Sequence, residues 1–369
     1  MSLRETYLDW NATTPLRPQA AAAMQSAMAR CGNPSSVHRW GRAARQAVER
    51  ARERVAALVG LPAADVIFTS GGTEANHLAL FGAGRERILV SAIEHNSVLQ
   101  AVPDAEHIPV DGNGIVDLAR LGELLAADPR PALVSVMLAN NETGTIQPVA
   151  QVAALAHANR ALFHCDMIQA AGKIPVDAAA LGADLVTLSA HKIGGPPGIG
   201  AVVATGAVEL VPMIRGGGQE RGRRAGSENI VGIAGFAAAA EAALAEIALY
   251  DRVRGLRDRL EMALMPDAIV IGAAAPRLPN TSALAMPGMP AETQIIALDL
   301  AGIMVSAGAA CSSGKVGPSH VLAAMGVMPD LAQATIRVSL GWSTDEAEIA
   351  HLAEAWTALH RRMRRQRAA

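Results

Sequence analysis

The chain has 369 residues, 51% of them apolar and 18% charged, enough hydrophobic material for a large core and too much for a disordered segment. Thirty-two Lys and Arg against 34 Asp and Glu leave a formal charge of −2, and aromatic residues make up only 3%. That balance argues against nucleic acid or an anionic membrane surface as partner, and three cysteines make no disulfide framework, so a cytoplasmic setting is expected.

Residues 1–11 lack the apolar stretch of a secretory signal. Helices are expected over 18–30 and 36–59, the second ended by Gly60 and Pro62. A β-type run at 66–69 breaks at Ser70-Gly71-Gly72 into a helix over 73–81. Short apolar runs at 88–91, 132–138, 162–165 and 185–188 follow, with helical segments such as 149–159 between them. Alternation of this kind specifies an α/β fold with a mostly parallel sheet covered on both faces. Residues 231–249 are apolar enough to resemble a membrane span, but they are largely Ala and carry Glu241 and Glu246. Two carboxylates near a bilayer centre would cost about 2.5 kcal/mol or more each, so the segment reads as a packed Ala-rich helix. A charged amphipathic helix over 250–264, Pro- and Gly-rich segments over 266–290, short strands and a last helix over 345–364 suggest a smaller α+β domain. The expected division is a large domain of residues 12–249 and a small one of 1–11 with 250–369.

Several constellations carry chemical information. The turn Thr69 to Asn76, with Gly71 and Gly72, opens a helix whose first N–H groups suit a phosphate, and the Thr73 hydroxyl adds a donor. It is neither a dinucleotide-binding fingerprint nor a Walker A loop. Ser189-Ala190-His191-Lys192 follows a buried strand, where desolvation lowers a lysine's pKa and suits it to Schiff-base chemistry. Asp166 ends another apolar strand, with Gln169 three residues on, and a buried carboxylate there needs a cationic or protonated partner such as a pyridinium nitrogen. His164, Cys165 and Asp166 alternate faces on an extended segment, so they cannot share a metal and no metal site is expected. Cys311 lies in the small-residue run Ser306 to Lys315, a poor place to bury a cysteine and a good one for a reactive thiol. Residues 216–227 concentrate glycines, Arg221, Arg223, Arg224 and Ser227, either as a solvated loop or as a reach toward a phosphate across a subunit boundary. Arg337, inside a β-type run, requires a carboxylate partner.

Taken in order, these pieces resemble the NifS-like cysteine desulfurases of the class V pyridoxal-phosphate-dependent aminotransferase family. The resemblance runs nearly end to end. It takes in Tyr7-Leu8-Asp9, Ala12-Thr13-Thr14-Pro15, Gly32-Asn33-Pro34-Ser35-Ser36-Val37-His38, the Gly71 to Asn76 turn, Glu94-His95 and Asn140-Asn141-Glu142-Thr143-Gly144. It continues through Asp166, Ser189 to Lys192, the Gly216 and Cys311 loops, and Ile336 to Gly341.

The resemblance implies a fold type I pyridoxal-phosphate enzyme acting as a homodimer. Lys192 is then the lysine that bonds pyridoxal 5′-phosphate, with Gly72, Thr73, Ser189 and His191 on its phosphate and Ser227 reaching it from the partner subunit. Asp166 faces the pyridine nitrogen, His95 stacks on the ring and assists proton transfer, and Asn141 and Gln169 lie near the 3-oxygen. Arg337 and Asn33 hold the substrate carboxylate, and Cys311 receives sulfur from L-cysteine, leaving L-alanine. The sulfur passes to an acceptor or iron–sulfur scaffold protein, for cluster assembly or for thio-cofactor or tRNA thiolation. Residues 312–320 read Ser-Ser-Gly-Lys-Val-Gly-Pro-Ser-His, where many relatives carry Leu-Glu before the Pro, and this leaves the acceptor open. The rival readings are a selenocysteine lyase or another β-lyase of the same fold, and a catalytically dead scaffold.

Overall fold

Short apolar runs form the strands, and amphipathic or Ala-rich segments form the helices that cover them. The computed structural model describes residues 5–206, 208–307 and 319–368. In chain order the strands are β1 (Thr6–Tyr7), β2 (Val66–Thr69), β3 (Arg87–Ser91), β4 (Glu106–Ile108), β5 (Ala132–Ser135), β6 (Leu162–Asp166), β7 (Leu185–Ser189), β8 (Gly200–Ala204), β9 (Ile269–Val270), β10 (Thr281–Ala285), β11 (Ile303–Met304), β12 (Ser306–Ala307) and β13 (Thr335–Ser339). The helices are α1 (Pro18–Met28), α2 (Arg39–Ala57), α3 (Gly72–Gly82), α4 (Asn96–Leu99), α5 (Leu118–Ala127), α6 (Val149–Ala158), α7 (Ile230–Ala245), α8 (Leu249–Leu264), α9 (Ala291–Asp299), α10 (His320–Ala324), α11 (Pro329–Gln333) and α12 (Glu346–Ala368).

The main sheet has the order β2-β8-β7-β6-β5-β3-β4. All its pairs are parallel except those of β8, which is antiparallel to both neighbours. The reason is local: β8 follows β7 after residues 190–199, and a parallel return needs a crossover of about a dozen residues or more. Side chains alternate between two apolar layers, as buried strands require. Phe68, Val134, Phe163, Cys165 and Val186 meet α2, α6 and α7 on one face, while Ile67, Val90, Leu133, Leu185 and Val202 meet α3 on the other.

A second sheet, β12-β13-β10-β9, is antiparallel throughout. Its apolar cluster draws Leu8 from the N-terminal segment together with Tyr250, Leu256, Leu284, Ile336, Val338 and Trp356. The N-terminal segment is thus part of the C-terminal layer. β1 pairs in parallel with β11, and Asp9 bridges to Ser339.

Some boundaries differ from those the sequence suggests. The helix expected from residue 36 starts at Arg39, because the His38 Nδ1 caps it by accepting from Gly41 N–H at 3.3 Å. The helix expected over 231–249 breaks after Ala245, and α7 and α8 are bent by 74°. Glu246 at the break pairs with Arg17. Among the described residues no single helix is long and apolar enough to cross a membrane, and α7 is largely buried. Strand β5 ends at Ser135 rather than 138, although Val136 and Leu138 still donate to His164 O and Asp166 O at 3.1 and 2.8 Å.

Candidate active site

Open α/β sheets bind ligands beyond the carboxyl ends of their strands, and the cavity here lies at that edge. It has a volume of about 330 Å³ and is lined by Gly72, Thr73, His95, Asn141, Asp166, Gln169, Ser189, His191, Lys192 and Arg337, together with Asn11 and Ser97. Asp166 ends β6, Ser189 ends β7, and Lys192 closes the short 3-10 turn Ala190–Lys192 that follows. Gly72 opens α3 just beyond β2. Gly200 makes that turn possible: a Cβ there would lie 2.6 Å from the Gly71 carbonyl carbon and 2.7 Å from Leu188 O. With only hydrogen at Gly200, the 70–72 turn rests against β8 and aims the first N–H groups of α3 at the cavity.

Lys192 Nζ donates to two backbone carbonyls of the N-terminal segment, Asn11 O at 2.6 Å and Ala12 O at 2.7 Å. Burial first, and then the Arg337 guanidinium, bring its ammonium down to about 8. Arg337 is 2% exposed. It donates to Asp9 Oδ1 at 2.7 Å, which is the carboxylate partner its place in a strand demands, and to Asn141 O at 3.1 Å. Its Nε has no partner among the described residues.

Between them lies a polar network that the sequence did not single out. Asn11 Nδ2 donates to Asn141 O and Thr281 Oγ1, and Asn11 Oδ1 accepts from Asn280 Nδ2. Asn11 Oδ1 also accepts from Lys173 Nζ at 2.9 Å, and Lys173 Nζ reaches Gln169 Oε1 at 2.6 Å. Gln169 Nε2 returns to Asn11 O at 2.9 Å. Burial drives the Lys173 ammonium well below its ordinary range.

The opposite wall is wired differently. Asn76 Nδ2 donates to Asp166 Oδ2 at 2.9 Å and to Ser97 Oγ at 2.8 Å, and Ile168 N–H donates to Asp166 Oδ1 at 2.9 Å. Burial raises the Asp166 carboxyl against these bonds and the Lys192 charge. Ser97 Oγ lies 2.8 Å from His95 Nδ1, and Ser97 N–H donates to that nitrogen at 3.1 Å. Nδ1 is therefore an acceptor, and the neutral ring carries its proton on Nε2. Burial, then Lys192 and His320, lower His95 to about 4, so the ring is neutral at physiological pH. Glu94, fully buried beside it, accepts from Met137 N–H and is pushed well above the carboxylate range by burial.

Asn33 and Ser227 are not brought to the cavity of their own subunit. Asn33 Oδ1 accepts from Ser35 N–H at 2.8 Å and closes the turn before α2, while Ser227 is exposed. The arginines of the 216–227 loop bond within the chain: Arg224 pairs with Glu74 at 2.8 Å and Arg221 with Glu49 at 3.3 Å, and Arg223 donates to Ala64 O. Glu220 pairs with buried Arg52 at 2.6 Å. Cys311 lies outside the described residues. On either side of its segment, Ser306 is registered opposite Arg337, His320 Nε2 bonds Glu94 O at 2.9 Å, and Ser319 Oγ bonds Glu142 at 2.5 Å. Cys165 is buried in the core, where burial raises its thiol well above the ordinary value; Cys31 is exposed.

Asn11, Lys173, Asn76 and Ser97 are the site residues that the sequence reading missed. Their signals were modest: Lys173 stands four residues after Gln169, and Asn76 closes the glycine-rich turn motif. Asn11 stands between two recognised motifs, and its partners are hundreds of residues away.

A lysine and a carboxylate at the ends of adjacent strands, an arginine facing them and a helix N-terminus at the rim define a fold type I aminotransferase-like site. The Aminotransferase class-V family model matches residues 6–352. A cysteine desulfurase from Cereibacter sphaeroides is 46% identical over 95% of both chains. A NifS-like protein from Rickettsia africae superposes with a TM-score of 0.90 at 36% identity, covering 97% of this chain and 99% of that one. A structure described as SspA in complex with cysteine superposes at 0.79 with 27% identity, covering 91% and 98%. The chain belongs to the class V aminotransferase family, on its cysteine desulfurase branch.

Proposed function

We propose that this protein is a cytoplasmic, homodimeric cysteine desulfurase that uses pyridoxal 5′-phosphate, takes sulfur from L-cysteine onto Cys311 and passes it to an acceptor or iron–sulfur scaffold protein. Its subunit divides into a large domain of residues 12–249 and a small one of 1–11 with 250–369. The observation that carries the reading is the placing of Lys192 and Asp166 on one cavity with Arg337.

The residues present fit the cofactor. Asp166 makes no ion pair among the described residues and is a ready partner for a protonated pyridine nitrogen. Gly72, Thr73, Ser189 and His191 surround the α3 N-terminus, where a phosphate binds without a further counter-charge. Ser227 would add a hydroxyl from the partner subunit. When bound, pyridoxal phosphate supplies an electron sink for negative charge developing at the amino acid's Cα.

The chain's own groups supply the rest. Arg337, with Nε unpaired and Asp9 already holding one edge, takes the substrate carboxylate and orients Cα toward Lys192. Lys192, with its amine lowered to about 8, moves the proton at Cα near neutral pH. His95, on the same cavity, would stack on the cofactor ring and offer a proton from Nε2. Asn141 and Gln169 would contact the cofactor's 3-oxygen. Cys311 as thiolate attacks the substrate sulfur: the S–S bond forms as the Cβ–S bond breaks, the bonding pair leaves with Cβ, and a proton then completes alanine.

The test is direct. Purified protein reconstituted with pyridoxal phosphate is expected to be yellow, to produce alanine from L-cysteine, and to carry a persulfide on Cys311 by mass spectrometry. Cys311→Ser keeps the colour and the cysteine-induced spectral change but makes almost no alanine, while Cys31→Ser and Cys165→Ser retain most activity. A persulfide on Cys31 or Cys165, or near-normal turnover by Cys311→Ser, overturns the assignment.

A further inference from the structure

Lys173 is a buried cationic side chain for which the reaction above has no use. It is 2% exposed, does not line the cavity, and forms no ion pair among the described residues. A lone buried ammonium is expensive unless its donors are matched. Here both of its bonds go to side-chain amide oxygens, Asn11 Oδ1 at 2.9 Å and Gln169 Oε1 at 2.6 Å.

We infer that Lys173 is a positioning residue: by occupying the oxygen of Gln169, it obliges that amide to present an N–H, and never an oxygen, to the occupant of the cavity. The geometry closes from both ends. Gln169 Nε2 gives one of its two protons to Asn11 O, a backbone carbonyl that can only accept. The nitrogen is fixed there, the oxygen is fixed on Lys173, and the second N–H remains for the cavity that Gln169 lines. Lys173 fixes Asn11 in the same way: with Oδ1 toward the lysine, Nδ2 must turn to Asn141 O and Thr281 Oγ1. Asn11 O, held in that frame, is one of the two carbonyls that receive Lys192 Nζ.

The consequence is electrostatic. A donor N–H aimed into the site and a buried amine behind it both disfavour an added proton on the groups they face. The charged and titratable groups around Lys192 are Arg337, Asp9, Asp166, His95, His191 and Lys173. Arg337 opposes a proton on Lys192 and the two carboxylates favour one, while Lys192 and Arg337 together lower Lys173. Removing Lys173 releases the Gln169 oxygen and leaves the amide held only at Asn11 O, so its N–H is no longer fixed on the cavity and the proton affinity of the site rises.

This inference rests on pyridoxal phosphate occupying the cavity, and the bound cofactor's visible absorption band reports it independently of turnover. Its midpoint is titrated against pH in the full-length holoenzyme, alongside thermal unfolding. K173M is expected to raise the midpoint by about one unit, a tenfold change in proton affinity. K173R keeps donors for both oxygens and is expected to restore the wild-type midpoint. Q169L moves the midpoint upward as well, and K173M/Q169L moves it no further than the larger single effect, because the lysine acts through the amide. Should K173M fail to fold, K173Q takes its place, since its amide N–H still bonds one of the oxygens. A variant that lowers the unfolding temperature but leaves the midpoint alone makes Lys173 purely structural and overturns the inference. Strictly additive midpoint shifts overturn it too. A wild-type protein that shows no visible band after incubation with pyridoxal phosphate instead defeats the functional reading itself.

Discussion

The two walls of the cavity hold similar groups in contrasting states. On the wall built from residues 9–12 and β13, Arg337 Nε is left open, but Asn11 alone uses its backbone N–H, its backbone carbonyl and both ends of its amide. On the wall built from α3 and the ends of β3 and β6, Asn76 Oδ1 and Glu94 Oε2 are buried without a partner among the described residues. The saturated wall is a rigid frame that fixes Lys192 and Arg337. The other wall contains groups whose charged forms burial disfavours, His95 lowered to about 4 and Glu94 pushed upward. Buried unsatisfied groups are rare in folded proteins and concentrate where function requires them.

Five substitutions and one range of pH test that contrast. The largest effect belongs to Lys192→Ala, which removes the proton-moving amine from the saturated wall: alanine formation is expected to fall by about 10³-fold or more, and borohydride no longer fixes cofactor to the chain. Retention of normal turnover would show that the frame holds the wrong lysine. Arg337→Ala comes next. Loss of a charge-assisted carboxylate contact costs about 1.5–3 kcal/mol, so cysteine binding weakens roughly ten- to hundred-fold while the yellow colour persists. Loss of cofactor with normal cysteine binding would make Arg337 structural.

A pair of stability measurements sharpens the comparison. Asn11→Ala removes four side-chain bonds, to Asn141 O, Thr281, Lys173 and Asn280, each worth about 0.5–1.5 kcal/mol. Asn76→Ala removes an amide whose oxygen is already unpaired, so its urea midpoint is expected to fall less. Equal losses would erase the distinction between the walls. The smallest effect is one of pH. His95, His164 and His191 are lowered by burial to about 4, 3 and 4. The unfolded chain binds protons on them below about pH 6.5 while the native chain does not, so stability is expected to decline as pH falls from 6.5 toward 4. His164→Gln makes that decline shallower in acid-unfolding curves, and an unchanged curve would count against a neutral His164.

The sequence announces much of this molecule and omits its frame. Buried strands such as 162–166 and 185–189 are continuous apolar runs, and the residues at their ends are placed by the strands themselves, so Asp166, Ser189 and Lys192 are legible. Arg337 is legible because a charge in a strand demands a partner, yet Asp9 as that partner is not, being 328 residues away. β8 was missed because Gly200-Ala201-Val202-Val203-Ala204 follows a glycine-rich loop and returns antiparallel in an otherwise parallel sheet. Asn11 and Lys173 escaped for a deeper reason: their partners come from Asn280, Thr281, Ser339 and Gln169, and no local pattern records such a meeting.

The N-terminal strap has a further meaning during synthesis. Residues 9–17 leave the ribosome long before Asn280, Ser339 and the Gly341–Trp342 corner that receives Trp10. Trp10 covers Gly341 so closely that a Cβ there would lie 2.0 Å from its ring, and it meets Trp342 edge-on at 4.6 Å. Until that corner exists, the strap has nowhere to dock, and the two carbonyls that hold Lys192 are not in place. Vectorial translation therefore delays completion of the site until residues 335–342 have emerged. A nascent chain stalled before residue 335 would possess the main sheet, its lysine and its carboxylate without a finished pocket.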